Sequence, residues 1–391
     1  MALTINPRLQ GLAPSGIRRF SALAAATPGC VSLTLGEPGE GTPPAIRDRV
    51  GEDLAAGLTH YPPNNGFPWL REAIASSEAA RGVSDEVATP DNAIATVGAT
   101  EALFVALSTI LEPGDEVIVP TPAFSLYGSI ASLLGARVVE LDTEPAGYQV
   151  DPAALGRAVT PRTKAVVLCS PNNPTGCVLD DASLSAVAAA ARDHDLFVVC
   201  DDVYRLLSYD GEAPSFAPAH PELADRTLVV GSLSKPWAMT GWRMGWLLGP
   251  SRVMGQAAKV HQFAVSSIPA FVQHAGVEAL GTDVDQMRES YHRRRDRVVE
   301  ALGQMGLPTP RPRGAFYAFP DVREFGLTSE EFCERAIREA GVALVPGTFF
   351  GGEGHVRLSY ACDDHTLAEG LARLARFVDA LREGGASDGR A

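Results

Sequence analysis

From about residue 92 the chain alternates short apolar runs with longer amphipathic stretches. Ala93–Val97, Glu116–Val119, Arg137–Leu141, Ala165–Cys169, Phe197–Cys200 and Leu228–Val230 read as strands. The Val-rich runs are apolar at consecutive positions, the pattern of a strand buried on both faces. Between them, helices are predicted from Gly98 to Leu111, from the Pro120–Phe124 loop to Leu134, and over the alanine-rich Leu184–Arg192. Asp180 or Asp181 is placed to cap the last of these. Strands alternating with helices predict a mostly parallel sheet covered on both faces.

The flanks read differently. Residues 1–45 are rich in Pro and Gly, with one amphipathic stretch from Ile17 to Ala26, and are expected to pack as an arm on the rest. Val31–Leu35 reads as a short strand before Gly36-Glu-Pro. Helices over Ala45–Leu58 and Trp69–Ala80 bracket the turn-rich Tyr61-Pro-Pro-Asn-Asn-Gly66. After helical stretches over Ser251–Leu280 and Val284–Met305, strands at Gly314–Phe319 and Val356–Tyr360 and helices at Ser329–Ala340 and Leu367–Leu381 predict a smaller α+β lobe. The expected division is an arm with part of a small domain (1–45), a large domain (46–290) and a small C-terminal domain (291–391). Gly384–Ala391 is small and polar and is expected to fray.

Composition narrows the function classes. The 391 residues are 46% hydrophobic and 20% charged, an ordinary globular balance. A formal charge of −14 argues against nucleic acid or an anionic membrane as partner. The basic run His292–Arg295 with Arg297 is therefore expected to be a solvated helix face, opposite Tyr291, Val298, Val299 and Leu302. The six cysteines are scattered without metal-ligand spacing, which predicts reduced thiols, a cytoplasmic setting and no metal site. Met1–Pro7 has no signal-peptide character, and no apolar run approaches the ~20 residues of a membrane span.

Chemistry gathers at the strand ends. Gly231-Ser-Leu-Ser-Lys235 follows a buried strand, with Arg243 further on. Hydroxyls and a guanidinium suit a phosphate, and a lysine beside them suits an aldehyde through a Schiff base. Gly98-Ala99-Thr100 offers backbone N–H groups at a helix start, a seat for an anion. Phe124 can stack on a flat ring or serve as core. Ser170-Pro-Asn-Asn-Pro-Thr-Gly176 is a rigid loop whose Asn173 can donate to an oxyanion, though alone it reads equally as a turn. Asp201 ends an apolar strand, where a carboxylate needs a partner such as a protonated pyridine nitrogen; Tyr204 follows three residues later. Asp202 reads as a helix cap. Arg357, inside an apolar strand, suits two-point binding of a carboxylate or a structural ion pair.

Taken together, Ser-Pro-Asn-Asn-Pro-Thr-Gly, Asp201-x-x-Tyr204, Ser232-Leu-Ser-Lys235, Arg243 and Val-Arg357-Leu-Ser resemble the class I/II aminotransferases, which depend on pyridoxal 5′-phosphate. The resemblance runs in the family's order from Gly36-Glu-Pro to Arg357. It implies fold type I, a mostly parallel α/β sheet with helices on both faces beside a smaller α+β domain. It implies that Lys235 forms the Schiff base, Asp201 pairs with the ring nitrogen, Tyr204 and Asn173 bond the phenolate oxygen and Phe124 stacks. Ala99, Thr100, Ser232 and Arg243 would hold the phosphate, with Ser234 beside them. Tyr61 matches a tyrosine reaching the neighbouring subunit's phosphate in a homodimer, while Asn173, Arg357 and Gly36 would meet the substrate. The expected activity is ping-pong transamination between an L-amino acid and a 2-oxo acid, with elimination or decarboxylation on the same scaffold as the alternative. Two departures bear on substrate. Gly39-Glu-Gly-Thr-Pro43 lacks the family's frequent acidic–aromatic pair, and Thr100 stands where an aspartate-transaminating branch has a lysine. A neutral or aromatic donor is therefore expected, its side chain near Ile17, Phe20 and Val31–Leu35, with Arg18 or Arg19 as the distal cation should glutamate or 2-oxoglutarate serve as co-substrate.

Overall fold

The computed structural model describes residues 5–12, 14–211 and 213–388, with side chains to residue 384. Among the described residues there are twelve strands: β1 (Val31–Ser32), β2 (Ile94–Val97), β3 (Glu116–Thr121), β4 (Arg137–Asp142), β5 (Thr163–Cys169) and β6 (Phe197–Asp201). They continue with β7 (Thr227–Ser232), β8 (Met244–Leu248), β9 (Tyr317–Ala318), β10 (Val342–Ala343), β11 (Val345–Pro346) and β12 (Val356–Ser359). The helices before the crossovers are α1 (Gly16–Ala26), α2 (Pro44–Ala55) and α3 (Pro68–Ala79). Those within and after them are α4 (Gly98–Ile110), α5 (Leu126–Leu134), α6 (Pro152–Ala158), α7 (Asp181–Asp193), α8 (Phe216–Ala219) and α9 (Ser251–Val265). The rest are α10 (Gln273–Gly281), α11 (Asp285–Gln304), α12 (Ser329–Arg335) and α13 (Asp364–Asp388).

Seven strands form the main sheet in the order β2-β8-β7-β6-β5-β3-β4. All neighbours are parallel except where β8 runs against β2 and β7. β7 is buried at every position and β6 at all but Phe197, as consecutive apolar residues require when helices cover both faces. β4 exposes Arg137, Glu140 and Asp142, the charged dress of a sheet edge. Asp180, not Asp181, caps α7 by accepting from the Ser183 N–H at 2.7 Å.

Two small sheets flank this core. β1 pairs in parallel with β10, so the N-terminal segment is stitched to the C-terminal part of the chain. β11, β12 and β9 form an antiparallel sheet that carries Arg357. α1 buries Phe20 and Ala24, with the Phe20 ring 5.9 Å from Phe349.

Several expectations needed correction. Val31–Leu35 and Gly314–Phe319 contribute only two strand residues each; beyond them the Leu33 carbonyl accepts from the Ser359 N–H and the Ala315 N–H donates to the Leu207 carbonyl. β8 was not anticipated; its apolar residues lie between loop signals and are fully buried as the sheet's one reversed strand. Arg294 and Arg295 do not lie on a solvated face. Arg295 is buried, donates to the Pro312 carbonyl and Asp296, and stacks over Tyr209, while Arg294 bridges Glu40 and Asp364. Asp202 caps no helix but accepts from Ser215 Oγ at 2.7 Å. Residue 290 lies inside α11. Helix α13 continues through the expected frayed tail to Asp388, and residues 389–391, like Met1–Thr4, lie outside the described residues.

Candidate active site

The parallel strands end on one rim of the sheet, where open α/β folds gather ligands. A cleft of about 790 Å³ opens there, lined by residues from β5, β6 and β7 ends, the start of α4, the α1 segment and β12. It brings together Gly36, Ala99, Thr100, Phe124, Asn173, Asp201, Tyr204, Ser232, Ser234, Lys235, Arg243 and Arg357.

Asp201, the last residue of β6, is buried, and Tyr127 donates its hydroxyl to Oδ2 at 2.6 Å. Oδ1 is equally buried and accepts no hydrogen bond among the described residues. Burial pushes the Asp201 carboxyl up to about 6, against the Tyr127 bond and the Val203 backbone, which favour the anion. Lys235 follows β7; its Nζ donates to the Gly36 carbonyl at 2.6 Å and lies 6.0 Å from the centre of the Tyr204 ring. Burial, then the neighbouring Arg357 cation, brings the amine down to about 8. The carboxyl is thus raised and the amine lowered in one cleft, the condition under which side chains trade protons near neutral pH.

The residues expected to seat an anion come from three directions. Gly98 adopts φ +71°, and a Cβ there would fall 2.6 Å from Arg243 Nη2, so glycine is required for the guanidinium to lie against the helix start. Arg243 is itself left-handed (φ 55°) and is held by its Nη1 bond to the Thr240 carbonyl at 2.9 Å. Ser232 Oγ lies 2.8 Å from Ser234 Oγ.

Opposite stands Arg357, 1% exposed, which donates to Asn173 Oδ1 at 2.9 Å and to the Thr34 carbonyl at 2.6 Å. Its carbon lies 4.5 Å from the centre of the Tyr317 ring, and Nε has no partner among the described residues. Burial lowers this guanidinium's pKa, the mark of a cation waiting for an anion. Tyr204 and Tyr317 share a 2.8 Å hydroxyl contact. A Cβ on Gly36 would lie 2.2 Å from the Tyr317 hydroxyl, which fixes glycine at this wall.

Not every expected residue joins. Tyr61, expected to serve a neighbouring subunit's site and not this one, is 92% exposed and does not line the cleft. Phe20 and Leu33 are core, whereas Ile17, Leu35 and Arg18 do line the cleft; Arg19 instead pairs with Glu330. Tyr127 and Tyr317 were missed. Both are tyrosines within apolar stretches, and a buried hydroxyl that must find a partner was the available signal.

A lysine and a buried carboxylate at the strand ends of a largely parallel sheet, facing a buried arginine from the small sheet, form the arrangement that the resemblance to fold type I enzymes implies. The family described as aminotransferase class I and II matches residues 28–374, and the chain belongs to that family. It is 41% identical over 385 residues to the putative aminotransferase YugH of Bacillus subtilis (strain 168), covering 97% of this chain and 99% of that one. It is 38% identical to aromatic-amino-acid aminotransferase 2 of Thermococcus litoralis, covering 96% and 98%. The solved aspartate aminotransferase from Thermus thermophilus with maleate superposes with a TM-score of 0.90 at 40% identity, over 96% of this chain and all of that one. The protein is an aminotransferase, and the elimination alternative is set aside. No helix among the described residues is long and apolar enough to cross a membrane, and no cluster among them could hold a metal ion.

Proposed function

We propose that this enzyme uses pyridoxal 5′-phosphate to move an amino group between a neutral or aromatic L-amino acid and a 2-oxo acid, in ping-pong order. The observation that carries the reading is Asp201 Oδ1, buried without a partner beside Lys235. A protonated pyridine nitrogen is the donor that atom lacks, and the family implies the cofactor. Asp201 would pair with that nitrogen, Tyr204 and Asn173 with the phenolate oxygen, and Phe124 with the ring face. Ala99, Thr100, Ser232, Ser234 and Arg243 would hold the phosphate. When bound, the cofactor supplies a carbonyl that takes the amino group and a ring that accepts the electron pair left at Cα.

This chain's side chains do the rest. Arg357 and Asn173 grip the α-carboxylate with Gly36 at the same wall, fixing the amino acid's Cα near Lys235. Lys235 Nζ takes the Cα proton and gives it back, a role suited to an amine with a pKa of about 8. Departure of the first oxo acid before the second enters makes the kinetics ping-pong.

The substrate preference rests on Ile17, Leu35 and Leu103, apolar residues that line the cleft. Arg18, at the same mouth, is the cation left for a distal carboxylate when glutamate or 2-oxoglutarate serves as co-substrate. The relatives' names span aspartate and aromatic amino acids, and Thr100 favours the second. Burying a neutral side chain there is worth about 1.5–3 kcal/mol, whereas an unpaired carboxylate loses several. Two copies sharing their sites through Tyr61 suit its exposure, the β1–β10 pairing supports a small domain built from both chain ends, and free thiols suit the cytoplasm.

The test joins chemistry to preference. Borohydride reduction with cofactor present is expected to label Lys235 alone, and kcat/KM with a fixed acceptor is expected to favour phenylalanine, leucine or methionine over aspartate. Label on another lysine refutes the site, and aspartate ahead by about tenfold refutes the preference.

A further inference from the structure

His261, on α9, is fully buried. Its Nδ1 lies 2.7 Å from Glu101 Oε1 and its Nε2 lies 2.8 Å from the Asn64 carbonyl oxygen. A carbonyl only accepts, so Nε2 carries hydrogen; with Glu101 ionised, Nδ1 carries one too, and the ring is then an imidazolium. Burial opposes that charge, but the bonds to Glu101 and Asn64 raise the imidazole above its usual range.

Glu101 belongs to the first turn of α4, the turn whose Gly98, Ala99 and Thr100 form the anion seat. Its Oε2 accepts the Val97 N–H and so satisfies one of the free donors at the helix start. The arrangement contains a conflict. A carboxylate in this turn repels the anion that the helix end attracts. We propose that His261 is a positioning residue for the phosphate seat, cancelling the charge of Glu101 while letting that side chain fasten the backbone beneath the seat. The proposal rests on the reading of this turn as the place of the cofactor's phosphate. The second bond of the same imidazole, to Asn64, ties the seat to the loop that carries Tyr61.

The test uses apoenzyme of wild type, His261→Asn, Glu101→Gln and the double variant, titrated with pyridoxal 5′-phosphate, with pyridoxal, and with inorganic phosphate as competitor. His261→Asn keeps a neutral N–H toward Glu101 and removes the charge together with the bond to the Asn64 carbonyl, a loss the double variant shares. It is expected to weaken both phosphate-bearing ligands about tenfold or more, a loss on the scale of one pKa unit, and to leave pyridoxal nearly unchanged. The double variant is expected to recover most of the loss, because no carboxylate remains to be offset. Wild-type affinity in the single variant, an equal loss for pyridoxal, or no recovery in the double variant overturns the proposal. Should the single variant not fold, Glu101→Gln decides: phosphate binding kept or strengthened supports charge cancellation, and a loss of about tenfold overturns it. A wild-type apoenzyme that binds none of these ligands refutes the cofactor reading itself.

Discussion

At the scale of single residues, the site works by holding groups away from their ordinary protonation. Asp201 is the sharpest case. Its folded pKa of about 6 stands above the usual 3.8, so its contribution to stability is full below 3.8 and is lost as pH rises through about 6. That gap amounts to about 3 kcal/mol at most, the price of burying a carboxylate with one oxygen left without a partner. Asp201→Asn is therefore expected to melt at a higher temperature than wild type as apoenzyme at pH 7, while turnover falls by orders of magnitude because a neutral amide no longer favours a charged ring nitrogen. Scanning calorimetry and single-turnover kinetics read the two halves; equal melting temperatures would show that Asp201 is already paired. The chemistry of Lys235, Asp201 and Arg357 was legible because each interrupts or follows an apolar run. Tyr127 and Tyr317 were not, since a tyrosine in such a run looks like any other apolar residue until its hydroxyl's partner is in view.

At the scale of elements, Glu116 shows how strands that carry the site are locked in register. It opens β3 fully buried and accepts from Arg137 at 2.8 Å, Thr160 at 2.7 Å and Arg162 at 2.7 Å, joining β4 and the approach to β5. These bonds, Thr160's first, hold the carboxyl down to about 2 against its burial. A depressed folded pKa gives stability that is present above about 4.5 and lost as pH falls through about 2. Glu116→Gln is expected to lower stability by about 1–3 kcal/mol at pH 7 and to flatten the acid limb of the stability curve. Urea denaturation at pH 7 and pH 3 checks this, and an unchanged midpoint at both would remove Glu116 from the account. The strands of this sheet were readable from their Val-rich runs. β8 was not: Met244–Leu248 is a short apolar run between loops, and nothing local announces that it runs against β2 and β7. The two-residue pairings β1–β10 and β11–β12 are equally silent, being made by geometry rather than by pattern.

At the scale of the whole molecule, Tyr61 stands 92% exposed on a loop held by Asn64 to His261 and to the Ser266 carbonyl. With the shared site proposed above, the active species is a dimer, and Tyr61→Phe is expected to weaken cofactor retention several-fold, about 1 kcal/mol, without disturbing the fold. Sedimentation during turnover and a cofactor titration check both; a fully active monomer would end the shared-site reading. The sequence by itself determined the alternating α/β layout, the strand-end position of the lysine and carboxylate, and the family, because apolar periodicity and motif spacing are local properties. It misjudged Arg294 and Arg295, whose run looks solvated although one is wholly buried among Pro312, Tyr209 and Asp296. Only the tertiary structure decided which atoms meet. Asp201 Oδ1 left without a partner, Gly36 pressed against Tyr317, and His261 closed on Glu101 all join residues distant along the chain, and burial and long-range contact are set by the packing of the whole.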